Sequence, residues 1–175
     1  GLYEYVAVYV DDLLIVSKAP QDIFDMLEKT HKFKLKGTGP ITFHLGCDFF
    51  RDKDGTLCYA PLKYIEKMLE NYERIFGVKP KHAASPLVPG DHPELDSSEL
   101  LEFDMIRVYQ SLIGALQWVI QIGRFDVATA VMTMSRFRAA PRKGHLERVQ
   151  RIHGYISKMR HAIIRIRTEE PDYSS

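Results

Sequence analysis

Apolar residues recur along this chain with two different periods, and the period changes from the first half to the second. Residues 2–10 are dense in β-branched and aromatic side chains (Tyr3, Tyr5, Val6, Val8, Tyr9, Val10), which suit a pleated surface and predict a strand. Residues 13–16 are a second short apolar run, so the two read as a hairpin with Asp11 and Asp12 at its tip. Pro20 opens a helix to about His31, because Ile23, Phe24, Leu27 and His31 follow helical spacing and proline suits a first turn. Residues 41–51 read as a strand, Asp52-Lys53-Asp54-Gly55 as a hairpin turn, and residues 56–59 as the returning strand. Pro61 starts a helix whose Leu62, Ile65, Met68, Leu69, Tyr72 and Ile75 form one apolar stripe, and Gly77 ends it.

Residues 78–104 break the pattern. Pro80, Pro86, Pro89 and Pro93 among scattered acids predict a linker or an irregular connection. The chain then turns helical. Residues 105–122 are apolar nearly all round, with a narrow polar stripe at Arg107, Gln110, Gly114, Gln117 and Gln121, and predict a buried helix. Residues 127–137 and 145–160 complete an α-helical unit. The fold class is α+β: antiparallel hairpins plus helices over 1–77, a linker over 78–104, helices over 105–167, and a tail over 168–175.

Composition narrows the class. The 175 residues are 45% hydrophobic, 27% charged and 11% aromatic, as in a globular protein, and no apolar run is long enough to span a membrane. Two cysteines, Cys47 and Cys58, are too few for a disulfide framework and fit no zinc spacing, so a reduced, intracellular setting is expected. The chain begins with Gly1 rather than Met and runs straight into strand pattern, which suggests a piece of something larger. The net charge of +1 conceals an asymmetry. Residues 136–167 carry ten Lys and Arg against one acid, Glu147, whereas the 135 residues before them carry fourteen basic and nineteen acidic side chains. Such a segment suits a polyanionic partner or, more blandly, a solvated helix face.

Adjacent aspartates in the apolar context Val6-Ala7-Val8-Tyr9-Val10-Asp11-Asp12-Leu13-Leu14-Ile15-Val16 are costly. Apolar surroundings penalise ionised carboxylates, and two like charges repel. A divalent cation between them would relieve both costs, and Mg²⁺ commonly takes one or two carboxylates plus substrate phosphates. Neighbouring strand residues face opposite sides of a sheet, so only a hairpin tip lets both acids approach one site. A solvent-exposed turn is the plainer reading of the pair alone.

Tyr9-Val10-Asp11-Asp12-Leu13-Leu14-Ile15 resembles the Tyr-X-Asp-Asp motif of retroelement reverse transcriptases in its Ty1/copia version. Phe33-Lys34-Leu35-Lys36-Gly37, Phe43-His44-Leu45-Gly46-Cys47, Gly55-Thr56-Leu57 and Lys63-Tyr64-Ile65 follow in copia-type order. So do Tyr109, Leu112-Ile113-Gly114-Ala115-Leu116, Arg124-Phe125-Asp126-Val127, Ser135-Arg136-Phe137, Pro141 and His145. The resemblance covers residues 2 to about 160 and implies the C-terminal half of an RNA-directed DNA polymerase domain: part of a palm, then a thumb- or connection-like helical unit. It implies Asp11 and Asp12 as catalytic carboxylates holding Mg²⁺ (or Mn²⁺), and Tyr9 and Val10 beside the primer terminus. Phe43, Leu45 and Gly46 look like a primer-grip hairpin, although an ordinary strand with a bulge fits those residues too. Arg124-Phe125-Asp126 departs from the usual Arg-Pro-Asp, which keeps the charged pair and loses a rigid turn.

On a helical wheel Arg148, Arg151, Tyr155 and Lys158 share one face of the last helix, opposite Leu146, Val149, Ile152, Ile156 and Met159. That face is either a template–primer cradle binding phosphates or a solubilising surface. His145 reads as a helix-start residue or a phosphate contact, with a packing role the plainer of the two. The family's first catalytic aspartate and its fingers lie upstream of the Tyr-X-Asp-Asp motif. The resemblance therefore implies an RNA or DNA template–primer as partner, a dNTP only with that N-terminal half, and the remainder of a polyprotein. It implies a cytoplasmic, particle-associated or nuclear setting. The alternative is a truncated, non-catalytic nucleic-acid-binding or interaction module.

Overall fold

The computed structural model describes residues 3–167; Gly1, Leu2 and the expected tail over 168–175 lie outside them. The chain forms two compact units that meet in sequence between Thr42 and Phe43.

The first unit is a hairpin followed by a short helix. Strands β1 (Tyr5–Tyr9) and β2 (Asp12–Val16) pair antiparallel from Tyr5 opposite Val16 to Tyr9 opposite Asp12. Helix α1 (Pro20–Asp25) starts at the expected proline, then widens into a π-helical turn, Met26–Thr30, in which the His31 amide donates to the Met26 carbonyl at 3.3 Å. The expected single helix over 20–31 is thus two pieces with different hydrogen-bond spacing.

The second unit is a four-stranded antiparallel sheet, ordered β3-β4-β5-β6, joined to four helices. The expected strand over 41–51 is two strands, β3 (Phe43–His44) and β4 (Cys47–Arg51). Leu45 and Gly46 both adopt left-handed φ, 49° and 86°, and reverse the chain between His44 and Cys47. Positive φ at both central residues gives the turn the twist that a two-residue hairpin needs. β5 (Leu57–Ala60) follows the expected Asp52–Gly55 turn. β6 (Ile164–Ile166), which periodicity does not reveal, closes the sheet against β5, and its Arg165 guanidinium binds Asp52 at 2.7 Å and Asp54 at 2.6 Å.

Helix α2 (Leu62–Phe76) ends at Gly77, whose φ of 72° caps it as expected. α3 (Phe103–Gln121), α4 (Ala128–Ser135) and α5 (Lys143–Lys158) follow. The start of the helix expected over 127–137 is instead a 3₁₀ turn, Phe125–Val127. One core joins the four helices through Ile65, Met68, Leu112, Leu116, Val131 and Ile156. Each such side chain contributes about 1.5–3 kcal/mol by leaving water. Tyr109, fully buried, donates its hydroxyl to the Met134 carbonyl at 2.7 Å and so ties α3 to α4.

The irregular stretch over 78–104 is bound to α5 along much of that helix. Asp91 and Asp96 grip Arg148, the Pro93 carbonyl accepts from His145, Ser85 accepts from Arg151, and Ser98 meets the Gly144 amide. Two glycines of α5 make this possible. A Cβ on Gly144 would lie 2.0 Å from Asp96 Oδ2, and one on Gly154 would lie 1.9 Å from the Lys81 carbonyl oxygen. The stretch is a strap across α5, held by charge and by close backbone approach.

Candidate catalytic hairpin and nucleic-acid surface

In the first unit the β1–β2 register fixes which side chains share a face. Tyr9 and Asp12 are cross-strand partners and project to the same side, while Val10 and Asp11 make the turn. Asp11 therefore sits at the tip and Asp12 at the first position of β2. Both are exposed. Val10 adopts a left-handed φ of 52°. A β-branched residue is poorly suited to that region, and backbone strain of this kind clusters at functional sites. Tyr9, Val10, Asp11 and Asp12 are thus brought together at one end of the hairpin. No group of three or more His, Cys, Asp or Glu side chains in metal-binding proximity occurs among the described residues. The two exposed carboxylates supply hard oxygen donors, which fit Mg²⁺ as part of a ligand set completed by substrate or further residues.

In the second unit Phe43, Leu45 and Gly46 lie together on the β3–β4 hairpin. Lys63 on α2 orients that hairpin: its backbone amide and Nζ both reach the Asp48 carboxylate, at 3.2 Å each, and its ammonium lies 5.2 Å from the centre of the Phe43 ring. The tip sits against α3. A Cβ on Gly46 would lie 3.8 Å from Trp118 Nε1, and Cys47 Sγ donates to the Ile122 carbonyl at 3.4 Å. Burial pushes the Cys47 thiol pKa up. Beside the tip, Gly114, Gln117, Trp118, Gln121 and Met132 line a shallow hollow of about 350 Å³. Trp118 is 42% exposed and Met132 is 58% exposed. The polar stripe of α3 marks this surface in the sequence, but the aromatic and the methionine beside it are revealed only by the packing.

The basic face expected on α5 is redistributed. Arg148, expected as a phosphate contact, instead pairs its guanidinium with Asp91 at 2.7 Å and Asp96 at 2.6 Å of the strap. Pairing with Arg148 holds the Asp91 carboxyl below the usual range. The Ser98 hydroxyl, with help from Arg148, lowers Asp96 to about 2. Arg151, half-buried, donates from Nη2 to Ser85 Oγ at 3.1 Å. Tyr155, also half-buried, has its pKa raised by burial and by neighbouring Asp126. Only Lys158 of the four is exposed. His145 matches its expectation. It is 3% exposed and stacks on Phe137, accepts the Arg142 amide on Nδ1 and pairs through Nε2 with the Pro93 carbonyl.

Arg124 and Asp126 keep their charged pair without a proline between them. The guanidinium binds the carboxylate through Nε at 2.9 Å and Nη2 at 2.8 Å, with Arg124 only 2% exposed. Burial pushes the Asp126 carboxyl up, and Arg124, Tyr155 and its own backbone amide together hold it below the usual range.

In sequence the chain is similar to a yeast transposon protein and to retrovirus-related Pol polyproteins from plant transposons. It is 30% identical over 169 residues to a Ty5-1 transposon protein of Saccharomyces cerevisiae, an alignment covering 94% of this chain and 52% of that protein. Retrovirus-related Pol polyproteins from transposon RE1 of Arabidopsis thaliana and transposon TNT 1-94 of Nicotiana tabacum are 27% and 32% identical, over 87% and 85% of this chain. The chain spans about half the length of the yeast relative and about a tenth of the two plant polyproteins. No protein-family model and no solved structure matches it. No helix among the described residues is long and apolar enough to cross a membrane.

Proposed function

We propose that this chain is the part of a copia-type reverse transcriptase that carries its Tyr-X-Asp-Asp hairpin and primer-holding surface, and works in template-directed DNA synthesis from dNTPs. The observation that carries the reading is the hairpin itself: Tyr9 opposite Asp12, with a strained Val10 and an exposed Asp11 between them. Asp11 and Asp12 would hold Mg²⁺, which when bound supplies activation of the primer 3′ oxygen and charge neutralisation on the triphosphate. Tyr9, on the Asp12 side of the hairpin, flanks the position of the primer end.

Asp48 and Lys63 set the angle of the β3–β4 hairpin, and its Leu45–Gly46 turn presents backbone beside Trp118. That surface suits the sugar and base edge of a duplex better than its phosphates, since it is apolar and amide-lined. Lys158 adds a phosphate contact. The third carboxylate that the chemistry needs is assigned by the family resemblance to an earlier palm strand.

Primer extension on poly(rA)/oligo(dT) with Mg²⁺ tests the reading, using this chain joined to the N-terminal half of a copia-type polymerase domain. Extension that vanishes in Asp11→Asn supports it. Template–primer binding without extension in the joined protein sinks it and favours a non-catalytic nucleic-acid module.

A further inference from the structure

Helix α2 carries Glu66, Glu70 and Glu73 at successive turns of one edge. All three are exposed and none forms an ion pair among the described residues. Like charges at this spacing repel along a helix. Arg74 turns to Asn71 at 2.5 Å and Lys63 to Asp48, and Lys67 on the same helix forms no ion pair with them among the described residues. The row forms one wall of a groove of about 600 Å³ within the second unit. Its floor is apolar, built from Leu62, Ile65, Leu69 and Pro80. Lys79, Arg160 and His161 also line the groove, with Arg160 Nε donating to His161 Nε2 at 3.0 Å.

We propose that this groove docks a basic amphipathic segment of a partner polypeptide. Apolar side chains of the segment would cover the floor, and its Lys or Arg side chains would answer Glu66, Glu70 and Glu73. From Leu62 to Glu73 the α2 wall is about 17 Å long, the length of about three helical turns in the occupant. Floor and charged rim together match the way amphipathic helices enter apolar grooves. Lys79 and Arg160 complement the carbonyl end or an acid of the same segment. A nucleic acid does not fit, because the carboxylate row would face phosphates. The inference is independent of catalysis at Asp11 and Asp12, which belong to the other unit.

The test is fluorescence anisotropy of the whole chain with two labelled 14-residue helical peptides that share a leucine stripe, one flanked by lysines and its twin by glutamates. The lysine peptide is expected to bind about tenfold tighter, and replacing its leucines with serine should abolish binding. In the triple variant E66Q/E70Q/E73Q, whose substitutions are isosteric and exposed, the preference should shrink to about threefold or less. Equal affinity for the two peptides, no binding of either, or an undiminished preference in the triple variant overturns the proposal. So does displacement of the lysine peptide by a template–primer duplex, or dimerisation in sedimentation that the triple variant abolishes, which would make a second copy the occupant.

Discussion

Gly154 and Lys81, far apart in sequence, are in backbone contact: a single methyl group added to Gly154 would lie 1.9 Å from the Lys81 carbonyl oxygen. Gly154→Ala should therefore lower stability by about 2–3 kcal/mol in urea unfolding, as overpacking of a rigid contact does. Gly114→Ala is the matched control, in a helix with nothing within 4 Å of the new atom. It should gain up to about 1 kcal/mol from helix propensity.

Arg148→Met should cost about 3–5 kcal/mol, since it strands the strap's Asp91 and Asp96 carboxylates against α5 without a partner. The acid response has a defined sign. Both carboxyls are held below their ordinary values in the folded chain, so their stabilisation is complete above about pH 4 and is lost as pH falls toward about 2. The Met variant should lose that part of the acid dependence, measured by chemical denaturation at each pH.

His153 should make the fold sensitive at milder acidity. Its ring is fully buried, donates from Nδ1 to the Val149 carbonyl at 2.9 Å and lies 5.2 Å from the Tyr72 ring, and burial lowers its pKa to about 4. A depressed histidine stabilises the neutral folded form, so stability is full above about pH 6.5 and declines as pH drops to about 4. The decline should total roughly 3 kcal/mol. His153→Phe should flatten the curve across that window, whatever it does to absolute stability.

Asp11→Asn should leave the melting temperature within about 2 °C of the parent, because Asp11 is an exposed turn residue. In the joined polymerase the same change should remove DNA synthesis and leave duplex affinity within about threefold. Lost duplex affinity would give these acids a structural role instead.

Trp118→Ala should weaken template–primer binding by about 1–3 kcal/mol in anisotropy titrations, the usual effect of removing an exposed stacking side chain. Lys158→Ala should act through salt instead, reducing the log–log slope of binding against salt by roughly one. Arg148→Met should not change that slope.

Long, strongly periodic segments were readable from sequence. The α2 stripe ends at Gly77 as expected, and α3 lies within two residues of its expected bounds. The Leu45–Gly46 reversal was hidden because leucine is a poor marker for a left-handed turn. β6 was hidden because three residues carry no period. At the candidate site, residue type pointed to Asp11 and Asp12, but the register that sets Tyr9 opposite Asp12 needs paired strands. Arg148 misled for a different reason. A helical wheel assigns a face to a side chain without reporting what covers that face, and here the cover comes from residues more than fifty positions upstream.

The strap also changes where this chain can be divided. Its prolines and scattered charges mark it as the place to trim, insert a tag or join a foreign domain. A cut there would remove the partners of Arg148 and His145 and open one side of α5 to water. The shortest independently folding piece of the second unit should begin near Phe43, and shortened expression designs that start after residue 100 should yield an unstable helical remnant.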